Sequence, residues 1–181
     1  SGTETRHTTY SIFRNPRYTS FSVIRWLSSI RDNNHGGWFD PYMCGGSINN
    51  YLEQAHLTLL SKPNEITLFC YGSLLDTVLV PALGFELDRM DGFLGELGNP
   101  IGVSTYLPVH GSGEDHVFDY LGMCGIPIAP SVHFPTSDEP VLLTGASASD
   151  DGIAQRIKNH LIQGGDVFAT PGFMYRLQEQ D

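Results

Sequence analysis

Four places in the chain bring together side chains that could do chemistry. The first is the run Gly36-Gly37-Trp38-Phe39-Asp40-Pro41-Tyr42. Trp38 and Tyr42 beside Asp40 would suit a sugar, because aromatic faces stack on the apolar face of a pyranose while a carboxylate takes its hydroxyls. The same rings could instead plug the mouth of a sheet. The second is Glu53 and His56, three apart on one helix. Glu-x-x-His is half of a di-metal carboxylate motif, and no second copy is present, so a solvated helix face accounts for it.

The third is His110-Gly-Ser-Gly-Glu-Asp-His116, a glycine-rich turn that runs into a helix. Free N–H groups there could cradle an anion, and His116 with Glu114 and Asp115 could contact a polar substrate or a metal. Glu114 and Asp115 also complement a helix dipole, so capping explains them without a ligand. The fourth is the pair of turns Thr144–Asp150 and Thr170–Gly172, both at carboxyl ends of expected parallel strands, where open α/β sheets place ligands. No Gly-x-Ser-x-Gly elbow exists, and Cys70-Tyr-Gly lacks the first glycine of the cysteine version. The residues carried forward as substrate contacts are Trp38, Asp40, Tyr42, Glu114, Asp115 and His116. No metal-ligand set and no cofactor motif is read.

The elements that must position these residues follow from periodicity. Phe21–Leu27, dense in β-branched and aromatic residues, reads as a strand, and Arg31–Tyr42 as a long loop with an aromatic core. Ser47 is a plausible N-cap for a helix running to Lys62 and stopped by Pro63. Its buried face is Ile48, Tyr51, Leu52, Ala55 and Leu59. Glu65–Tyr71 is a strand, and a helix follows Pro81 with Leu83, Leu87, Met90 and Leu94 on one side.

Beyond the seam at Gly98-Asn99-Pro100, Ile101–Leu107 is a strand and Glu114–Met123 a helix. Ile126–Phe134, interrupted by prolines, allows a short edge strand. Val141–Gly145 is a buried strand. Ser149 or Asp150 caps a helix with face Ile153, Ile157, Leu161 and Ile162, ended by Gly164-Gly165. Asp166–Thr170 closes the pattern as a strand followed by a Pro171-Gly172 turn. The expected class is α/β, a mostly parallel sheet with flanking helices and a flavodoxin-like second half. The expected division is 1–98 and 99–181.

Composition narrows the partners. The chain has 181 residues, 40% of them hydrophobic and 17% charged, with 20 acidic against 10 basic side chains and a net charge of −10. Binding nucleic acid or an anionic membrane surface requires clusters of Lys and Arg, and none is present. The three cysteines, Cys44, Cys70 and Cys124, form neither a disulfide framework nor a zinc knuckle; Cys70 and Cys124 read as packed thiols. No apolar run approaches the roughly 20 residues that span a bilayer. The composition is that of a soluble chain, which leaves the compartment open with the cytoplasm as one candidate, and the low charge with apolar helix faces implies self-association.

Two segments carry a resemblance. Tyr51-Leu-Glu-Gln-Ala-His-Leu57 with Glu65-Ile-Thr-Leu-Phe-Cys-Tyr-Gly-Ser-Leu74 resembles the last βα units of a TIM-barrel glycoside hydrolase of the β-galactosidase type. Asp115–Met123, Val141–Gly145 and Gly164–Thr170 look like the type I glutamine amidotransferase-like domain that follows such barrels and mediates trimerisation. The resemblance implies that the chain is a fragment of a larger carbohydrate-active protein. It also implies that catalytic carboxylates belong at the ends of the fourth and seventh barrel strands. Phe21–Leu27, taken as the seventh, has no Glu at its end; Asp32 and Asp40 are the nearest carboxylates. The second half lacks a Gly-x-Cys-x-Gly elbow, so glutaminase chemistry is not implied. The expectation is a non-catalytic assembly or ligand-contact region. The alternatives are a hydrolase site completed at a subunit interface and a stand-alone module holding a small anion.

Overall fold

A computed structural model of the chain describes residues 4–5, 16–31, 36–41, 47–136 and 139–179. Asp32, Tyr42 and Cys44 lie outside the described residues. The chain is α/β throughout and forms two compact units, residues 1–100 and 101–181.

The first unit contains a sheet of three parallel strands in sequential order: β1 (Glu4–Thr5), β2 (Gly36–Phe39) and β3 (Glu65–Leu68). Helix α1 (Thr19–Ile30) connects β1 to β2, and α2 (Ile48–Leu60) connects β2 to β3. The short α3 (Tyr71–Leu74) and the long α4 (Leu79–Leu94) follow β3.

Residues 21–27, expected as a strand, are helical. Their β-branched and aromatic density misleads, because burial of Ile24 against β2 overrides local propensity; Ser22 and Ser28 return their hydroxyls to the carbonyls of Tyr18 (3.4 Å) and Ile24 (2.8 Å). Each serine is thereby satisfied inside its own helix. The expected loop 31–42 contains β2. A Cβ at Gly37 would lie 2.9 Å from the Thr58 methyl and 3.0 Å from Ile24 Cδ1. The glycine is therefore the condition for α1 and α2 to pack on the strand, not a mark of a loop.

Gly37 and Phe39 share one face of β2, and that face meets the helices. Phe39 is buried with Tyr51 and Ala55 of α2, Leu74 of α3 and Leu83 of α4. Side chains alternate along a strand, so Trp38 stands on the opposite, helix-free face. Helix α2 begins as expected: Ser47 accepts the N–H of Asn50 (3.4 Å). Helix α4 starts two residues before Pro81, which sits in the first turn where its missing N–H costs nothing.

The second unit is a sheet of four parallel strands ordered β5-β4-β6-β7: β4 (Val103–Tyr106), β5 (Ile128–Ser131), β6 (Val141–Leu143) and β7 (Val167–Ala169). Counted within the unit this is order 2-1-3-4, the doubly wound, flavodoxin-like arrangement. The proline-rich β5 takes the edge, where a missing donor is tolerated.

Helix α5 (Val117–Met123) connects β4 to β5 in one direction, and α6 (Ile153–Ile162) connects β6 to β7 in the other. Right-handed crossovers put them on opposite faces. A 3-10 helix, Gly145–Ser149, follows β6. Tyr106, Val141, Leu143, Ala148, Ile153 and Phe173 form the core.

Three expectations change here. Pro171-Gly172 is not a turn but the start of α7 (Pro171–Gln178), with Thr170 as N-cap accepting the N–H of Phe173 (3.1 Å) and Pro171 in the first turn. The buried face of α6 is Ile153, Ile157 and His160; Leu161 and Ile162 are exposed. Cys124 is exposed and not a packed thiol.

Candidate functional site

In the first unit, β2 carries the site. Phe39 commits the strand to the helices, which leaves Trp38 and Asp40 to the other face and the carboxyl end. Trp38 meets Phe69, just past β3, edge to face with ring centroids 4.7 Å apart and 84° between planes. Trp38 is half-buried and Phe69 is 39% exposed, so the pair is a surface feature and not core. Asp40 is buried, and its backbone carbonyl accepts the amide of Gln54 on α2 (3.1 Å). That bond fixes the strand end against the helix layer. In register, Trp38 lies between Glu4 of β1 and Thr67 of β3. The helix-free face thus offers an aromatic pair and a threonine position, with Asp40 at the strand end. This is the chemistry of polyhydroxylated ligands.

Glu53 and His56 do not form a site. Glu53 pairs with Arg17 (2.8 Å), while His56 faces Glu86 of α4 (3.1 Å), which Arg89 also approaches (3.4 Å). These contacts knit helices together. Among the described residues no group of three or more His, Cys, Asp or Glu could hold a metal ion. No described helix is long and apolar enough to cross a membrane.

In the second unit the segment 110–116 is a connection over the strand ends, and α5 begins only at Val117. Glu114 has a left-handed backbone (φ +54°) and its carboxylate turns away from α5. Its Oε2 accepts the N–H of Gly145 (2.7 Å) and the hydroxyl of Thr170. Asp115 Oδ1 accepts the N–H of Gly113 (2.6 Å), and His116 Nδ1 is 3.0 Å from Asp119 Oδ2, which is buried. Glu114, Asp115 and His116 therefore point to three different partners and do not converge. They also belong to a different unit from Trp38 and Asp40.

A second polar group lies further along the same strand ends. Asp150 accepts the hydroxyl of Tyr106 (2.8 Å), the Nε–H of Arg156 (2.8 Å) and the N–H of Gly152 (2.9 Å). Burial alone would raise the Asp150 pKa. The Gly152 N–H, the Tyr106 hydroxyl and Arg156 together outweigh it and hold the carboxyl below its ordinary value. Tyr106 is pushed up to about 12 by burial, then by its bond to Asp150 and that residue's charge, with Arg156 opposing. Every acceptor of Asp150 used here faces the chain's own donors, so the group is a fold anchor.

Comparison with known proteins divides the chain at the same region. Residues 98–181 match the family model described as the second domain of the uncharacterized protein SSO3021. No curated protein and no solved structure gives a significant match. Residues 1–85, which contain the whole three-stranded sheet with Trp38, Asp40 and Phe69, match the family model described as probable glycosyl hydrolase, catalytic domain.

Proposed function

We propose that the chain is a carbohydrate-contacting and assembly region of a glycoside-hydrolase-like protein. The observation that carries this reading is the Trp38–Phe69 pair on the helix-free face of a sequentially ordered parallel sheet, with Asp40 at the strand end. Barrel enzymes build their sites at the carboxyl ends of such strands. In this reading Trp38 stacks on a pyranose face, and the buried Asp40 holds the end of the strand that presents it. The match of residues 1–85 to a glycosyl hydrolase catalytic domain supports the ligand class. The second unit serves assembly: its edge strand β7 leaves Phe168 exposed, and Ile162 of α6 and Tyr175 of α7 are exposed as well.

A second reading, that the first unit takes part in hydrolysis, is favoured by the match of residues 1–85 to a probable glycosyl hydrolase catalytic domain. Two carboxylates are the usual requirement for glycoside hydrolysis.

A glycan array followed by titration calorimetry on the chain tests the proposal. A bound glycan whose affinity falls tenfold or more in Trp38→Ala is expected, while an array with no bound glycan would sink it. Hydrolysis of a chromogenic glycoside by the purified chain would move it from contact region to enzyme. Sedimentation over a dilution series tests assembly, and a monomer at every concentration removes that role.

A further inference from the structure

The connection from β4 to α5 leaves the carboxyl end of β4 and crosses those of β6 and β7, so it covers the β4/β6 switch point, where doubly wound sheets hold ligands. It is fastened there at two points. Glu114 Oε2 takes the N–H of Gly145, at the start of the 3-10 helix, and the hydroxyl of Thr170, the N-cap of α7. Arg176, from the far end of α7, donates to the carbonyls of Ser112 and Gly145 (3.0 Å to the latter).

The backbone around these fasteners has been cleared of side chains. A Cβ on Gly172 would sit 2.4 Å from the Glu114 carboxyl carbon, and one on Gly113 would sit 2.5 Å from the Arg176 guanidinium. One on Gly111 would sit 2.6 Å from the Ala146 carbonyl oxygen. Gly113 (φ +106°) and Glu114 (φ +54°) both hold left-handed backbone, a conformation that favours glycine and strains a glutamate. A glutamate is nevertheless held there, with its carboxylate delivered to the donors that an anionic ligand would use.

We propose that residues 111–114 are a strap that closes the strand-end crevice of the second unit, with Glu114 as its hook. The chain's own carboxylate occupies the position at which the Gly145 N–H and Thr170 hydroxyl would meet an external anion. The crevice is therefore filled from within, and the anion-holding reading of the Thr144–Asp150 turn does not describe the closed form. Release of Glu114 and Arg176 would free the strap from the strand ends, because its other bonds, Gly111 N–H to Pro108 (2.8 Å), Gly113 N–H to Asp115 and Val117 N–H to the Glu114 carbonyl (3.1 Å), run within the connection and to the start of α5.

The test is chemical replacement of the hook in the full chain. Glu114→Ala removes the carboxylate and leaves room for a small one. Thermal unfolding of this variant is expected some 5–10 °C below wild type. Sodium formate, compared with sodium chloride at equal ionic strength, is expected to return about half of that loss in Glu114→Ala and to do nothing for wild type. Limited proteolysis is the second readout, with cleavage between residues 107 and 116 accelerated at least fivefold in Glu114→Ala and slowed again by formate. Formate and chloride acting alike, or cleavage no faster than in wild type, would overturn the strap. If Glu114→Ala does not fold, Glu114→Gln, which keeps the side chain's length, takes its place in the proteolysis, and an unchanged rate there has the same force.

Discussion

The Tyr106 hydroxyl donates a 2.8 Å hydrogen bond to Asp150 Oδ2, tying the end of the central strand β4 to the entrance of α6. Both groups titrate away from their ordinary values, in opposite directions. The Asp150 carboxyl is depressed, so its contribution to stability is present above the unfolded value of about 3.9 and is lost as pH falls through the lower folded value. The Tyr106 phenol is raised, so its contribution is present below about 10 and is lost as pH rises through about 12. Tyr106→Phe is expected to cost ~1–2 kcal/mol at pH 7 and to flatten the decline of stability between about pH 10 and 12. Denaturant melts across that range check it; an alkaline limb as steep as wild type's would exclude Tyr106 as its source.

Gly165 and His160 are coupled through contact. A Cβ on Gly165 would lie 2.2 Å from His160 Nε2, and the buried imidazole is also packed edge to face on Phe134 at 5.6 Å. Gly165→Ala is expected to destabilise by ~1–3 kcal/mol through overpacking. In a double-mutant cycle with His160→Ala the two costs are expected to fall short of their sum by at least ~0.5 kcal/mol, the space left by the ring admitting the methyl. Additive costs would show that the ring moves aside freely.

Two helix caps can be ranked. Ser47 caps α2 with a single bond to Asn50 N–H (3.4 Å), whereas Thr170 accepts the Phe173 N–H and at the same time donates to Glu114. Ser47→Ala is expected to cost ~0.5–1 kcal/mol and Thr170→Ala ~1.5–3 kcal/mol, since the latter also strips a donor from a part-buried carboxylate. Equilibrium denaturation of the two variants side by side decides the order.

Adjacent residues on β2 are expected to separate stability from binding. Phe39 is fully buried against Tyr51, with ring centroids 5.3 Å apart, so Phe39→Ala is expected to cost ~3–5 kcal/mol by cavity formation. Trp38→Ala, on the helix-free face, is expected to cost under ~1.5 kcal/mol while removing carbohydrate binding. Melting curves and calorimetry on both variants settle it. A Trp38→Ala protein as unstable as Phe39→Ala would make Trp38 a core residue.

What could be read from the sequence depended on whether the cause was local. Helix α2 was legible because Ser47, a 3.6-residue apolar pattern and Pro63 all agree. Strands β6 and β7 and the glycine stop of α6 were legible for the same reason. Helix α1 runs against the strand propensity of Val23, Ile24 and Trp26, because packing of Ile24 on β2 at Gly37 overrides it. The start of α7 did carry a signal, Thr170 before Pro171, which was taken for a turn although it is also a cap followed by a first-turn proline. The partners of Glu114 stand 31 and 56 residues away in the chain, and no periodicity announces a contact of that kind. Trp38 and Asp40 were legible as candidates from residue type, but the face they occupy follows only from Gly37 and Phe39 facing the helices.

The two strand orders have a consequence for the way each unit can be built during synthesis. In the first unit every strand docks on the one made just before it, so the sheet can be laid down vectorially as the chain leaves the ribosome. In the second, β4 is made first and becomes the centre. It acquires β5 on one side and must keep its other edge open until β6 has emerged. Loop closure has to precede that central pairing, which makes it the slower event. The nascent second unit therefore passes through a stage with β4 half-paired, and the wait ends only when Val141–Leu143 is available.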